Sequence, residues 1–90
     1  MHYIYIIRSS KSDNFYIGQT NNLVRRLKDH NRGLSKHTKK YLPWRLVYFE
    51  GYADTDDALD RERKLKQFGK VYSQLKRRIG RSLGTGKVRG

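Results

Sequence analysis

Arg26 and His30 stand four residues apart, a spacing that puts both side chains on one face of a helix. Both border the apolar stripe of that segment, whereas Arg25 points away from it. A guanidinium in that place can grip a phosphate through two parallel hydrogen bonds and offset the charge that develops during phosphoryl transfer. An imidazole beside it can give or take a proton near neutral pH. Glu62 is the second unusual feature. On a helix it lies about 40° from Ala58 and between Leu59 and Leu65, so a carboxylate interrupts an apolar stripe. A buried carboxylate without a partner is costly, and it must meet either a cation of the fold or a bound metal ion. The neighbouring carboxylates have ordinary roles: Asp54, Asp56 and Asp57 suit a helix cap and the positive end of the dipole, and Asp60 falls on the outer face. Tyr5 and Tyr16 lie on two strand-like segments that a hairpin would set side by side, so their hydroxyls can converge. Each residue also has a plainer reading: a structural salt bridge for Glu62, a solvated cation for Arg26, a structural hydrogen bond for His30, and packing for either tyrosine.

Positioning these side chains requires strands, helices and turns in a definite order. His2 to Arg8 alternates, with Tyr3, Tyr5 and Ile7 on one face and Ile4 and Ile6 on the other, which predicts a strand. Ser9 to Asn14 has turn chemistry, and Phe15 to Gly18 reads as a short second strand. Gly18 is expected where the chain leaves that strand, permitting a tight turn and close approach of a nucleic acid. Asn21 or Asn22 caps a helix from about Leu23, with Leu23, Val24, Leu27 and Leu34 on its apolar side and Arg25, Lys28 and Arg32 opposite. Gly33 and the polar run Ser35 to Lys40 end it in a loop, before Pro43 and a third strand, Trp44 to Ala53. Asp54 caps a helix from Thr55 to Phe68, which Gly69 stops. A last helix, Lys70 to Ile79, carries the stripe Val71, Tyr72, Leu75 and Ile79. Residues 1–80 thus read as one α+β domain, ββαβαα, a small three-stranded antiparallel sheet flanked by helices. Residues 81–90, rich in glycine and cations, read as a mobile basic tail.

Composition narrows the partner. Lys and Arg outnumber Asp and Glu by 21 to 8, a formal charge of +13, which points to a polyanion and first of all to nucleic acid. The absence of cysteine excludes a disulfide framework, a thiolate nucleophile, and zinc-finger or iron–sulfur sites, and it fits a reducing cytoplasm. Met1 to Ser9 has neither the charged start nor the apolar length of an export signal, and no segment reads as membrane-spanning or as a membrane-surface helix.

Tyr3 to Tyr5 (YIY), Tyr16 to Gly18 (YIG), Arg26, His30 and Glu62 together resemble the pattern of the GIY-YIG endonucleases, in particular their short, stand-alone, single-domain bacterial members. The two tyrosines are eleven apart, the arginine follows by ten and the histidine by four more, within the uninterrupted run YIGQTNNLVRRLKDHN. The resemblance, which covers about residues 2–70, implies hydrolysis of DNA phosphodiesters with one divalent ion, Mg2+ or Mn2+, held by Glu62. It implies that Tyr5 and Tyr16 orient or deprotonate the attacking water, that Arg26 stabilises the phosphate, and that His30 handles a proton or contacts the leaving group. Gly18, Gln19 and Lys66 are assigned to the substrate. Tyr3 stands in place of the first motif's glycine, Gln19 where some relatives have a cation, and no asparagine follows Glu62. Ninety residues leave no room for a separate recognition domain, so structure-selective or relaxed cleavage is expected. A dimer formed transiently on DNA would supply the second site needed to cut both strands. The competing reading is a non-catalytic basic nucleic-acid-binding protein that retains this framework.

Overall fold

A computed structural model describes residues 1–67 and 69–83. In chain order it contains β1 (His2–Ser9), β2 (Phe15–Thr20), α1 (Leu23–Asn31), a 3-10 turn (Lys39–Tyr41), β3 (Trp44–Tyr52), α2 (Thr55–Gln67), α3 (Gly69–Arg78) and α4 (Gly80–Leu83). The strands form an antiparallel sheet in the order β2-β1-β3. The α+β class and the three-stranded sheet expected from the alternation are therefore present. No helix among the described residues is long and apolar enough to cross a membrane.

β1 is the central strand and is covered on both sides, which explains why Ile4, Tyr5, Ile6 and Ile7 are all buried. Ile4 and Ile6 face one layer, where Ala58 and Leu65 of α2 and Leu75 of α3 close over them. Tyr5 and Ile7 face the other, packed with Trp44 and with Leu23 and Leu27 of α1. Because successive side chains of a strand point to opposite faces, the hairpin hands Tyr16 to the layer of Tyr5 and Ile17 to that of Ile6. A register shift between Ile6 and Ile7 against β3 bends the second ladder.

Caps hold the helix starts. The Asn22 side chain accepts the Arg25 amide at 3.1 Å, and that of Asp54 accepts the Asp56 and Asp57 amides at 2.7 and 3.3 Å. Gly33, at φ +76°, turns the chain out of α1 in the left-handed conformation that glycine adopts without strain.

Several expectations need correction. β2 runs on to Thr20, so Gly18 lies inside the strand opposite Tyr5 and is not its exit. Val24 and Leu34 are 67% exposed, and the buried side of α1 is instead Leu23, Leu27 and His30. Leu34 fails to continue the stripe because Gly33 has already ended the helix. The run Ser35 to Lys40 is not a simple solvated loop, since Ser35 and Thr38 are buried and a 3-10 turn starts at Lys39. Residues 81–83, read as the start of a structureless tail, are helical: Leu83 is buried and its carbonyl accepts a hydrogen bond from Arg45 of β3. A single leucine carries no periodicity, so this anchor left no pattern to read. Phe68 and residues 84–90, the rest of the expected tail, lie outside the described residues.

Gly18 is required by packing. A Cβ there would stand 2.6 Å from Cζ of the Tyr5 ring, which lies across the glycine. Gly18→Ala should therefore destabilise the fold by about 1–3 kcal/mol, the usual cost of overpacking, and the same change in a Tyr5→Ala background should cost nothing measurable. Denaturant melts of the four proteins check this; additive effects would show that the two residues do not compete for one space.

Candidate active site

Tyr5 is the hub of a buried polar chain. Its hydroxyl lies 2.7 Å from Nε2 of His30 and accepts a longer bond, 3.4 Å, from Nε of Arg26. His30 in turn is 2.8 Å from Oγ1 of Thr38 through its other ring nitrogen. The helical spacing of Arg26 and His30 does bring both to the same tyrosine, because each projects from the buried side of α1 onto the central strand. Tyr16 completes an aromatic cluster, its ring centroid 5.2 Å from that of His30 and 6.4 Å from that of Tyr5. Arg25 is exposed and takes no part.

Glu62 arrives from α2. Its side chain is 18% exposed and pairs with Nζ of Lys66 at 3.0 Å, one helical turn away. Lys66 also stands over the Tyr16 ring, 5.8 Å from the centroid, and the Glu62 charge reaches the Tyr5 hydroxyl. The carboxylate thus acts on Tyr5 through its charge and has an exposed cation as its neighbour. Leu59, counted in the apolar stripe of this helix, is 41% exposed, so the buried side is narrower and consists of Ala58 and Leu65.

The rotation of α2 is set by Arg61, the residue next to Glu62. Its Nε and Nη2 each donate to the Glu50 carboxylate at 3.0 Å, a bidentate pair between α2 and β3. Tyr48 and Tyr52 donate to the two oxygens of Glu50 at 2.6 Å. Burial pushes the Glu50 carboxyl up, but the bonds from Arg61, Tyr48 and Tyr52 outweigh it and hold the group below its ordinary value.

Not every expected residue reaches the cluster. Gly18 is buried beneath Tyr5. Gln19 pairs with Ile4 on the opposite face of the sheet and bonds to His2. Thr38, Glu50 and Arg61, which support the cluster, were not singled out in the sequence. The available signal for Glu50 was a carboxylate flanked by tyrosines two residues to each side on one strand face.

The donor set suits a hard cation that keeps much of its water. Among the described residues no three His, Asp or Glu side chains gather on one point. Glu62 offers one partly exposed carboxylate, and Mg2+ is commonly held by one or two carboxylates together with substrate phosphates. A fully chelated structural ion does not fit.

Burial, joined by the Arg26 charge, pushes the His30 imidazole down to about 4, and burial pushes the Tyr5 phenol up to about 12 despite Arg26. Both are neutral near pH 7. The unfolded chain binds a proton at His30 near its ordinary 6.5, whereas the folded chain binds it only near 4, so this contribution to stability is complete above 6.5 and is lost as the pH falls towards 4. Melting temperature should drop over that window, and His30→Gln should flatten the drop; an equally steep profile in the variant would assign it to other groups.

Comparison with known proteins identifies the family. The GIY-YIG catalytic domain family matches residues 1–76. A UPF0213 protein of Clostridium perfringens is 41% identical over 68 residues, covering 74% of this chain and 72% of that protein. A UPF0213 protein of Haloquadratum walsbyi is 35% identical over 74 residues, covering 81% and 82%. The solution NMR structure of a UPF0213 protein from Bacillus halodurans is similar over 93% of both chains, with a TM-score of 0.55 and 27% identity. The matched span holds the tyrosine hairpin, the helix of Arg26 and His30 and the helix of Glu62, and the chain belongs to the GIY-YIG catalytic domain family.

Proposed function

We propose that this protein is a divalent-metal-dependent DNA endonuclease that hydrolyses phosphodiester bonds at one active site formed by Tyr5, Tyr16, Arg26, His30 and Glu62. The observation that carries the reading is the Tyr5 hydroxyl, bonded at once to His30 and Arg26, in a chain of formal charge +13. Such an excess of cations favours a polyanionic substrate and makes its binding sensitive to salt.

In the proposed reaction water attacks phosphorus, the bond to the leaving sugar oxygen breaks, and that oxygen takes up a proton. Arg26 binds a non-bridging phosphate oxygen and offsets the charge that grows on it. Tyr5 and Tyr16 hold the water in line. A phenol pushed up to about 12 is no base at neutral pH, so in the resting protein Tyr5 orients water and takes its proton only when positive charge gathers beside it. Glu62 would hold the Mg2+ or Mn2+, and that ion would supply a Lewis acid for the phosphate and the added positive charge. Lys66, freed from Glu62, is placed to meet the DNA backbone.

Two substitutions test this in Mg2+-dependent nicking of supercoiled plasmid. Arg26→Ala should lower the rate by about a hundredfold or more, the scale of a lost transition-state donor, while the exposed Arg25→Ala stays near wild type. Equal effects would remove the role given to Arg26. Glu62→Gln should likewise lower cleavage by at least about a hundredfold, yet in EDTA it should leave DNA affinity near wild type and cost only about 0.3–0.5 kcal/mol, the worth of an ion pair one turn apart on a helix. A Glu62→Gln protein that melts much earlier in EDTA but still cuts in the cold would make the carboxylate structural.

A further inference from the structure

Thr38 has no part in the five-residue pattern, yet it is among the most firmly held residues near the site. It is fully buried. Its amide donates to the Ser35 carbonyl at 3.2 Å, and its own carbonyl accepts from Nε1 of Trp44 at 2.8 Å. With the backbone tied at both ends, the hydroxyl is aimed at Nδ1 of His30, 2.8 Å away. His30 is itself completely buried, and its other nitrogen lies 2.7 Å from the Tyr5 oxygen.

A neutral imidazole carries one ring proton, and its place decides the direction of every bond in this chain. If the proton is on Nδ1, it is donated to Thr38, the Tyr5 hydroxyl donates to Nε2, and the Thr38 proton finds no acceptor among the described residues. If it is on Nε2, Thr38 donates to Nδ1 and His30 donates to the Tyr5 oxygen. The group left with a free proton is then Tyr5, at the end of the chain that adjoins Tyr16 and Arg26. An unpaired hydroxyl is costly when buried, and Thr38 and Tyr5 both are, but the Tyr5 hydroxyl adjoins the partly exposed Arg26 and Tyr16, the side from which substrate or water can receive its proton. The second arrangement is favoured.

We infer that Thr38 is a positioning residue that donates its hydroxyl proton to His30 Nδ1, holds the imidazole as the Nε2–H form, and so makes the Tyr5 oxygen the acceptor of two N–H groups, His30 Nε2–H and Arg26 Nε–H. Two fixed donors aimed at one phenol oxygen favour negative charge there as it forms, and they turn the hydroxyl proton towards the reacting groups. The assignment of hydrogen bonds stands on geometry; its catalytic consequence rests on the nuclease reading.

Long-range 1H–15N correlation spectra separate protonated from unprotonated ring nitrogens, and the chain holds three histidines, His2, His30 and His37, so assignment is tractable. The full chain at neutral pH should show His30 protonated on Nε2 and bare on Nδ1; the reverse pattern would overturn the proposal whether or not the protein cuts DNA. Thr38→Ser, which keeps the hydroxyl, should keep that signature and cleave within about twofold of wild type. Thr38→Val should lose the single-form signature and cleave about tenfold or more slowly at unchanged DNA affinity, as expected of a lost supporting bond. A valine variant with the wild-type spectrum and rate would also overturn it, and if that variant does not fold, the wild-type and serine spectra still decide. Absence of all cleavage, with His30 found as Nε2–H, would refute the nuclease reading and support the bond assignment.

Discussion

The register of β1 is the constraint on which the rest depends. The strand is buried on both faces, and a shift of one residue would send Tyr5 into the layer of α2 and α3 and expose Ile4 and Ile6 to α1. Every polar contact of the cluster would be lost at once, since Arg26 and His30 approach from only one side. The hairpin with β2 secures the register by shape, because the Tyr5 ring occupies the space that a side chain at position 18 would need. The partnership of a tyrosine with a bare glycine across two strands is thus a structural lock and a means of aiming a hydroxyl.

Electrostatics around that hydroxyl follow from burial more than from pairing. Low dielectric keeps both His30 and Tyr5 uncharged, so the resting cluster is a neutral hydrogen-bonded chain with one guanidinium at its edge. Two carboxylates are felt there: Glu62, which an exposed lysine balances and whose charge acts on Tyr5, and Asp29 of α1, whose charge acts on Arg26 and His30.

Much of this was legible in the chain because the relevant geometry is local. Alternation in β1 and β2 and the four-residue spacing in α1 convert directly into faces, so Tyr5, Tyr16, Arg26 and His30 could be placed together before any tertiary contact was known. Glu62 was visible through the stripe it interrupts, although the Lys66 pairing shows that ordinary helix physics also provides it with a partner. What escaped was long-range. Thr38 looks like any residue of a polar run, and only the closing of Trp44 over it makes it a buried anchor. Glu50 and Arg61 are eleven residues apart on different elements, with no period linking them. Gly18 was misread because a glycine within a short strand-like run resembles a terminator, whereas the ring it accommodates lies on another strand.

The strand order β2-β1-β3 also has a consequence in time. β1 and β2 are joined by the short turn between Ser9 and Phe15, whereas β3 must close against β1 across the whole of α1 and the loop beyond it. Hairpins of this size form on the scale of about 1–10 μs, and contacts distant in sequence follow more slowly. The two tyrosines and their glycine therefore belong to the earliest unit able to form, the Arg26 helix can dock on it next, and Glu62 comes into place only after the chain has been made and packed through α2. A nascent chain thus acquires the hydrogen-bonded cluster of Tyr5, Arg26 and His30 before the Glu62 carboxylate can approach it, so the order of assembly itself keeps a half-made molecule from holding all five side chains together.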